Sequence, residues 1–104
     1  MPSAPKNPPL RDRAWLDHLH SERCVITGQF GNATETIDPM HISTAGKAIK
    51  SGDDRVIPVL HRFHAEAHQS GEITMLRKHA PDSLLRAAFQ ALGEKMYREW
   101  KEAR

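Results

Sequence analysis

The chain has 104 residues and a net charge of +2, and this length suits one compact domain rather than two. Its single cysteine, Cys24, excludes an intramolecular disulfide, and the mild positive charge permits nucleic-acid binding without requiring it. No apolar run approaches the length of a membrane span and no signal peptide is visible, so we expect a cytoplasmic protein with no membrane contact.

The N-terminal half predicts an arm, one helix and a hairpin. Residues 1–9 are rich in proline and polar residues and predict a flexible arm ahead of a single domain over 10–104. Over residues 10–20 the apolar residues share one face, as in a helix. Two β-prone pieces, Cys24–Ile26 and Thr34–Ile37, flank a glycine-containing turn and predict the strands of a hairpin.

The C-terminal half predicts one more strand and then helices. A polar loop over 43–55 leads into Val56–Leu60, a short apolar strand whose Pro58 favours a sheet edge. Three helices follow, and the apolar spacing predicts them over 61–68, 73–79 and about 82–103. The order of elements therefore predicts an α+β fold with an N-terminal helix and a long C-terminal helix.

Histidine is unusually frequent, with seven residues in the chain. His64 and His68 are four positions apart on a predicted helix, so they share one face and form either a two-ligand site for a divalent ion or a pair of surface histidines. His41 follows a β-prone piece upstream, and in a ββα arrangement it would lie across the metal ion from the helix. A neutral imidazole kept off the metal can act as a general base, so this set of residues predicts phosphodiester hydrolysis.

Several blocks of the sequence occur in the order and spacing of one nuclease family. These blocks are Asp38-Pro39-Met40-His41-Ile42, Gly46-Lys47, the segment DRVIPVL at 54–60, and HAEAH at 64–68. They resemble the HNH endonucleases, also called ββα-metal or His-Me finger nucleases, and are most similar to small phage-type and recombination-associated members, over about residues 10–80. The resemblance implies a ββα-metal core at about residues 24–70, DNA as the partner, and a bacterial or phage-encoded protein.

The resemblance also assigns roles to the matching positions. His41 matches the general base, and His64 and His68 match two ligands of one divalent ion. The resemblance leaves the identity of this ion open among Mg²⁺, Mn²⁺, Zn²⁺ and Ni²⁺. Arg55 stands where the family usually has its middle asparagine, which braces the loop through hydrogen bonds. Arginine cannot accept hydrogen bonds, so we assign this bracing role to the neighbouring Asp54.

The third metal ligand and the DNA contacts have less specific candidates. Asp38 is the carboxylate nearest to His41 and is our candidate third ligand, with a turn residue before proline as the alternative. Met40 stands where some relatives carry a ligand, but its thioether is a poor ligand for a hard ion. Candidate phosphate contacts in the loop between the key histidines, with ordinary loop charge as the alternative, are Lys47, Lys50 and Arg55.

Many relatives hold a structural zinc ion between two C-x-x-C knuckles. The corresponding positions here are Cys24, Thr27, Leu60 and Phe63, so we expect no structural Cys₄ zinc site. We expect Leu60 and Phe63 to fill that space as hydrophobic core and Cys24 to be a buried thiol.

Two other functions remain compatible with the sequence. A catalytically silent DNA-binding module that keeps the HNH shape would also fit three features of the sequence. These are the absence of the cysteine knuckles, the methionine at position 40 and the arginine at position 55. A structural metal-binding protein is the third possibility, because His61 lies three residues before His64 and could complete a trio with His68. Partner proteins in phage packaging or in recombination are both compatible with a nuclease.

Overall fold

The fold consists of a two-stranded antiparallel sheet packed against four helices. A computed structural model describes residues 10–42, 52–80 and 86–103. In chain order its elements are α1 (Arg13–Leu19), β1 (Ile37–His41), a single 3₁₀ turn (Asp53–Arg55), β2 (Val56–Leu60), α2 (His61–Ser70), α3 (Glu72–His79) and α4 (Arg86–Ala103).

The four helices form where the apolar spacing predicts them. The predicted helices at 10–20, 61–68 and 73–79 correspond to α1, α2 and α3, with ends shifted by no more than three residues. The predicted final helix corresponds to α4 from Arg86 onward, and its first turn lies outside the described residues. Over the described ranges, none of these helices combines the length and the apolar character that crossing a membrane requires.

The sheet differs from the predicted hairpin. Its strands are β1 and β2, whereas the predicted strand Cys24–Ile26 is wrong. This piece instead forms a turn, in which the Cys24 N–H donates to the Gln29 carbonyl at 2.8 Å and Gly28 takes a φ of 77°. The second predicted strand begins too early, because β1 starts at Ile37 and continues through Pro39 to His41.

The two prolines of the sheet lie opposite each other, Pro39 against Pro58. The Pro58 carbonyl accepts a hydrogen bond from the Val25 N–H at 3.0 Å, and this contact lies on the side of β2 that faces away from β1. In a strand, the N–H and the carbonyl of one residue point to the same side, so an N–H at position 58 would also face away from β1. Proline at this position therefore removes no hydrogen bond between the two strands. Both strands are edges, as Pro58 predicts for β2.

Hydrophobic packing surrounds β2 on all sides. All five of its residues are buried, because α2 and α3 cover one region of the sheet while α1 and α4 meet at Val56. Leu60 and Phe63 are 3% and 5% exposed and belong to the main core cluster, as predicted for these two positions. Cys24 is buried in the same cluster, which confirms the expected buried thiol.

Helix α4 approaches the start of β2 closely at a glycine. A Cβ atom built on Gly93 would lie 3.0 Å from both the nitrogen and the oxygen of Val56. These neighbours are backbone atoms of a buried strand, so they cannot rotate away as a flexible side chain can. Gly93 therefore allows α4 to press against the strand that leads into α2.

We predict that Gly93→Ala destabilises the protein by about 1–3 kcal/mol because of overpacking. On a helix with open space at this position, the same change would stabilise by about 0.5–1 kcal/mol. Urea unfolding followed by circular dichroism measures the difference in unfolding free energy between wild type and Gly93→Ala. A loss of stability would support the close contact. A stabilised Gly93→Ala variant would contradict the close contact.

Candidate active site

A polar cavity lies where the end of β1, the helix α2 and the first residue of α3 meet. Its volume is about 170 Å³. The residues lining it are Met40, His41, His64, Ala67, His68 and Glu72. Three of the five histidines and carboxylates that the sequence singles out as reactive or metal-binding line this one cavity, namely His41, His64 and His68.

The two helical histidines are spaced for joint binding of an ion. The Nε2 atoms of His64 and His68 lie 3.1 Å apart. Two imidazole nitrogens that bind one ion at about 2.1 Å, with an angle of about 90–110° between the bonds, lie about 3.0–3.4 Å apart. The donor pair therefore fits a divalent ion on its cavity side. In the part of the chain that the structure describes, no group of three His, Cys, Asp or Glu side chains is arranged to hold an ion.

Asp38 lies on the other side of the His64 ring. Its Oδ2 accepts hydrogen bonds from the Nδ1 atoms of His61 and His64, at 2.7 and 3.0 Å. A neutral His64 that donates from Nδ1 keeps a lone pair on Nε2, which is the atom that faces His68. A carboxylate in this position orients a metal-binding histidine from behind. The third-ligand role given to Asp38 stays a prediction, and its observed contacts are those of an orienting group.

The surroundings of Asp38 favour its ionised form. Burial of the carboxyl group opposes ionisation, but hydrogen bonds from the two histidines and from Thr36 outweigh it and hold the pKa of Asp38 below its ordinary value of 3.8. The side chain is 16% exposed, so water screens these contacts only in part. His61, the third member of the possible histidine trio, is 64% exposed and uses its Nδ1 for the same carboxylate.

His41 ends β1 and is paired with a buried carboxylate. Its Nε2 donates to Oδ1 of Asp53 at 2.8 Å, and the His41 side chain is 42% exposed while that of Asp53 is 3% exposed. A ring that donates from Nε2 keeps its lone pair on Nδ1 when it is neutral. The pair therefore fixes both the orientation of the imidazole and the nitrogen that can accept a proton.

Asp53 is in turn held by the N-terminal segment of the domain. Its Oδ2 accepts from the backbone N–H of Asp12 at 2.7 Å, and its own N–H donates to the Leu10 carbonyl at 2.8 Å. Asp12 caps α1 through the Trp15 N–H at 3.2 Å and accepts from the Tyr97 hydroxyl at 3.0 Å. Burial and this contact with Asp12 raise the pKa of Tyr97. The contacts behind His41 thus extend from the 3₁₀ turn to α1 and α4.

The remaining predicted site residues lie elsewhere or outside the described ranges. Asp53 is the carboxylate that contacts His41, and the loop-bracing role assigned to the neighbouring Asp54 stays a prediction. Arg55 donates from Nε to Glu94 of α4 at 3.2 Å, and its contact with phosphate stays a prediction. Lys47 and Lys50 lie outside the described residues.

Two residues at the site were not found from the sequence. Asp53 and Asp54 are adjacent carboxylates at the end of a polar loop, and no local sequence pattern distinguishes Asp53 as the one that is buried. Glu72 lies four positions after His68, the same spacing as between His64 and His68. The intervening Gly71 marks a helix end, so helical periodicity could not be extended to Glu72.

We predict that Asp53→Asn lowers the free energy of unfolding by about 1–3 kcal/mol, because an amide cannot replace both charge-assisted hydrogen bonds of the buried carboxylate. The neighbouring Asp54→Asn is the matched control and should change stability by no more than about 0.5 kcal/mol. Thermal and urea unfolding of the two variants test this. Equal losses, or a larger loss for Asp54→Asn, would contradict the assignment of Asp53 as the buried partner.

A second prediction concerns the acid stability that Asp38 supplies. Because the folded-state pKa of Asp38 is lowered, its ionised form stabilises the fold above the unfolded pKa of 3.8, and this contribution is lost as pH falls through the folded value. We expect the difference in unfolding free energy between wild type and Asp38→Asn to shrink as pH falls from about 5 to about 2.5. Unfolding curves across this range measure it, and a difference that stays constant or grows would contradict the paired carboxylate.

Comparison with known proteins adds no relative to this description. No protein-family model matches the chain, and no curated protein or solved structure matches it either. The resemblance to HNH nucleases therefore depends on the blocks quoted from the sequence, and the function has to be argued from the geometry of the cavity.

Proposed function

We propose that this protein is an HNH-type endonuclease that hydrolyses phosphodiester bonds of DNA with one divalent metal ion. One observation carries the proposal: His41, backed by Asp53, lines the same cavity as the closely spaced His64 and His68. In this proposal β1, β2 and α2 are the ββα-metal unit, with the base at the end of the first strand and the ligand pair on the helix.

His41 is the general base in this proposal. Its Nδ1 carries the lone pair, because Nε2 donates to Asp53, and the ring is exposed enough to meet water in the cavity. In hydrolysis, the water oxygen forms a bond to phosphorus and its proton passes to Nδ1. The bond between phosphorus and the leaving oxygen breaks. The negative Asp53 then stabilises the imidazolium ion that has formed.

His64 and His68 hold the metal ion through their Nε2 atoms. When bound, a divalent ion supplies polarisation of a phosphate oxygen and stabilisation of the charge on the leaving oxygen. The role of Asp38 is then to keep the His64 ring in the Nδ1–H form, which leaves Nε2 available to the ion. His68 would hold the ion through Nε2 in its Nδ1–H form, and this would replace the contact between the two rings.

DNA is the proposed substrate on the basis of charge and chain connectivity. The chain has a net positive charge, and the segment between Ile42 and Gly52 carries Lys47 and Lys50. This segment starts two positions after His41 and ends two positions before Asp53. Its lysines are therefore tethered at both ends to the proposed catalytic pair, where phosphate contacts would position the backbone of DNA.

A catalytically silent DNA-binding module is the second candidate. It is favoured by the lack of a three-ligand group among the described residues and by Met40, which is 2% exposed at a position where some HNH enzymes carry a ligand. Such a module would bind DNA in a salt-dependent way without cleaving it.

A plasmid nicking assay with Mg²⁺, Mn²⁺, Ni²⁺ and Zn²⁺ separates the two candidates. We expect wild type to nick supercoiled DNA and His41→Ala to be slower by about 10²–10⁴-fold, the usual contribution of a general base. His68→Ala, which loses a proposed ligand, should show no metal-dependent nicking at ion concentrations that saturate wild type. His18→Gln is the matched control, because His18 lies on α1, contacts Glu22 and is not among the residues that line the cavity, and it should nick like wild type.

Two results would count against the nuclease. Intact plasmid with all four ions, combined with salt-dependent DNA binding, would establish the silent module instead. Nicking by His41→Ala at the wild-type rate would show that His41 is not the base and that a contaminating nuclease has to be considered.

A further inference from the structure

We infer that Glu72 supplies the negatively charged ligand for the metal ion that His64 and His68 bind. This inference rests on the proposed metal site and adds a carboxylate from a different helix to it. The observation behind it is that Glu72 lines the same cavity as the two histidines.

The chain reaches this position through a glycine turn. Helix α2 ends at Ser70, Gly71 takes a φ of 92°, and α3 begins at Glu72. The Gly71 N–H still donates to the Ala67 carbonyl at 2.9 Å, and its own carbonyl accepts from the Met75 N–H at 3.1 Å. This short junction keeps the first residue of α3 beside the last turn of α2, which carries His68.

The charge balance of the cavity is the reason for an anionic ligand. Two neutral imidazoles bring no negative charge to a divalent ion, and the thioether of Met40 is a poor ligand for hard ions. Asp38 contacts the Nδ1 atoms of His61 and His64, on the far side of the His64 ring from Nε2. Among the described residues that line the cavity, Glu72 is the only carboxylate.

The contact forms when the ion binds. In the conformation described, the cavity side chains are not arranged as a three-ligand group. The Glu72 carboxylate reaches the ion by a change in its side-chain torsions or through a coordinated water molecule. Either route makes the affinity for the ion depend on the negative charge of Glu72, and more strongly for ions that prefer oxygen ligands.

Metal titrations test the inference without any measurement of activity. Isothermal titration calorimetry with MnCl₂ and with NiCl₂ gives the affinities for the two ions. Mn²⁺ prefers oxygen ligands, whereas Ni²⁺ is well suited to imidazole. We expect Glu72→Gln to weaken Mn²⁺ binding by about 10–100-fold and Ni²⁺ binding by a clearly smaller factor. Asp38→Asn, which disturbs an orienting group, should weaken both ions by similar factors.

Two further variants complete the design. Glu99→Gln removes one exposed carboxylate from α4, away from the cavity, and should bind both ions like wild type. His68→Ala removes a proposed ligand and should abolish binding of both. Unfolding curves recorded without metal verify that every variant is folded at the titration temperature.

The outcomes separate this inference from the proposed function. If Glu72→Gln binds Mn²⁺ like wild type while His68→Ala binds neither ion, the role of Glu72 is overturned and the histidine site stands. If Glu72→Gln weakens both ions equally, its role is structural and the inference is also wrong. If wild type binds neither ion, both the proposed metal site and the role of Glu72 are wrong.

Discussion

Burial of the Asp53 carboxylate is the constraint on which the rest of the structure depends. It is the only buried charged side chain in the described ranges, and a carboxylate taken out of water destabilises the fold by several kcal/mol unless it is well paired. Its partners come from distant parts of the chain: His41 at the end of β1 and the backbone of Asp12 before α1. The exposed Arg11 guanidinium adds a weaker attraction at 3.7 Å. The proposed base is therefore oriented by the same contacts that attach α1 to the sheet.

The second supporting element is α4, which encloses this arrangement from the other side. Tyr97 donates to Asp12, and Gly93 lets the helix approach Val56 at the start of β2. Trp15 of α1 packs against Tyr97 and Trp100, with ring centroids 5.6 and 5.2 Å apart. A domain of this size buries only a modest core, so these aromatic contacts between α1 and α4 add packing that the core alone would lack.

The sequence predicted the elements that repeat a simple period and missed those that depend on tertiary contacts. The helices followed from their apolar stripes, and the His64–His68 pair followed from a spacing of one helical turn. The strand at Cys24–Ile26 was wrong because its β-prone side chains pack against the core from a turn. β1 was placed too early because Pro39 reads as a strand end, although opposite Pro58 it costs no hydrogen bond.

Site residues were predictable to the extent that their position is local. Whether Asp53 or Asp54 faces inward is decided by contacts with Leu10 and Asp12, more than forty residues away in sequence, which no local pattern encodes. The location of Glu72 depends on the direction in which the chain leaves Gly71. A glycine stop shows where a helix ends and gives no information about where the next helix points.

The long-range partners of Asp53 have a consequence for how the motif can be used. A fragment over 37–72 contains every proposed reactive side chain, yet it lacks the Asp12 N–H that donates to the buried carboxylate and the Leu10 carbonyl that accepts from the Asp53 N–H. Grafting this stretch onto another scaffold would transfer the ligands without the electrostatic support of the base. The histidine motif therefore cannot be moved to another protein on its own. Substitutions in the N-terminal segment would disturb the orientation of His41 as directly as substitutions within the cavity.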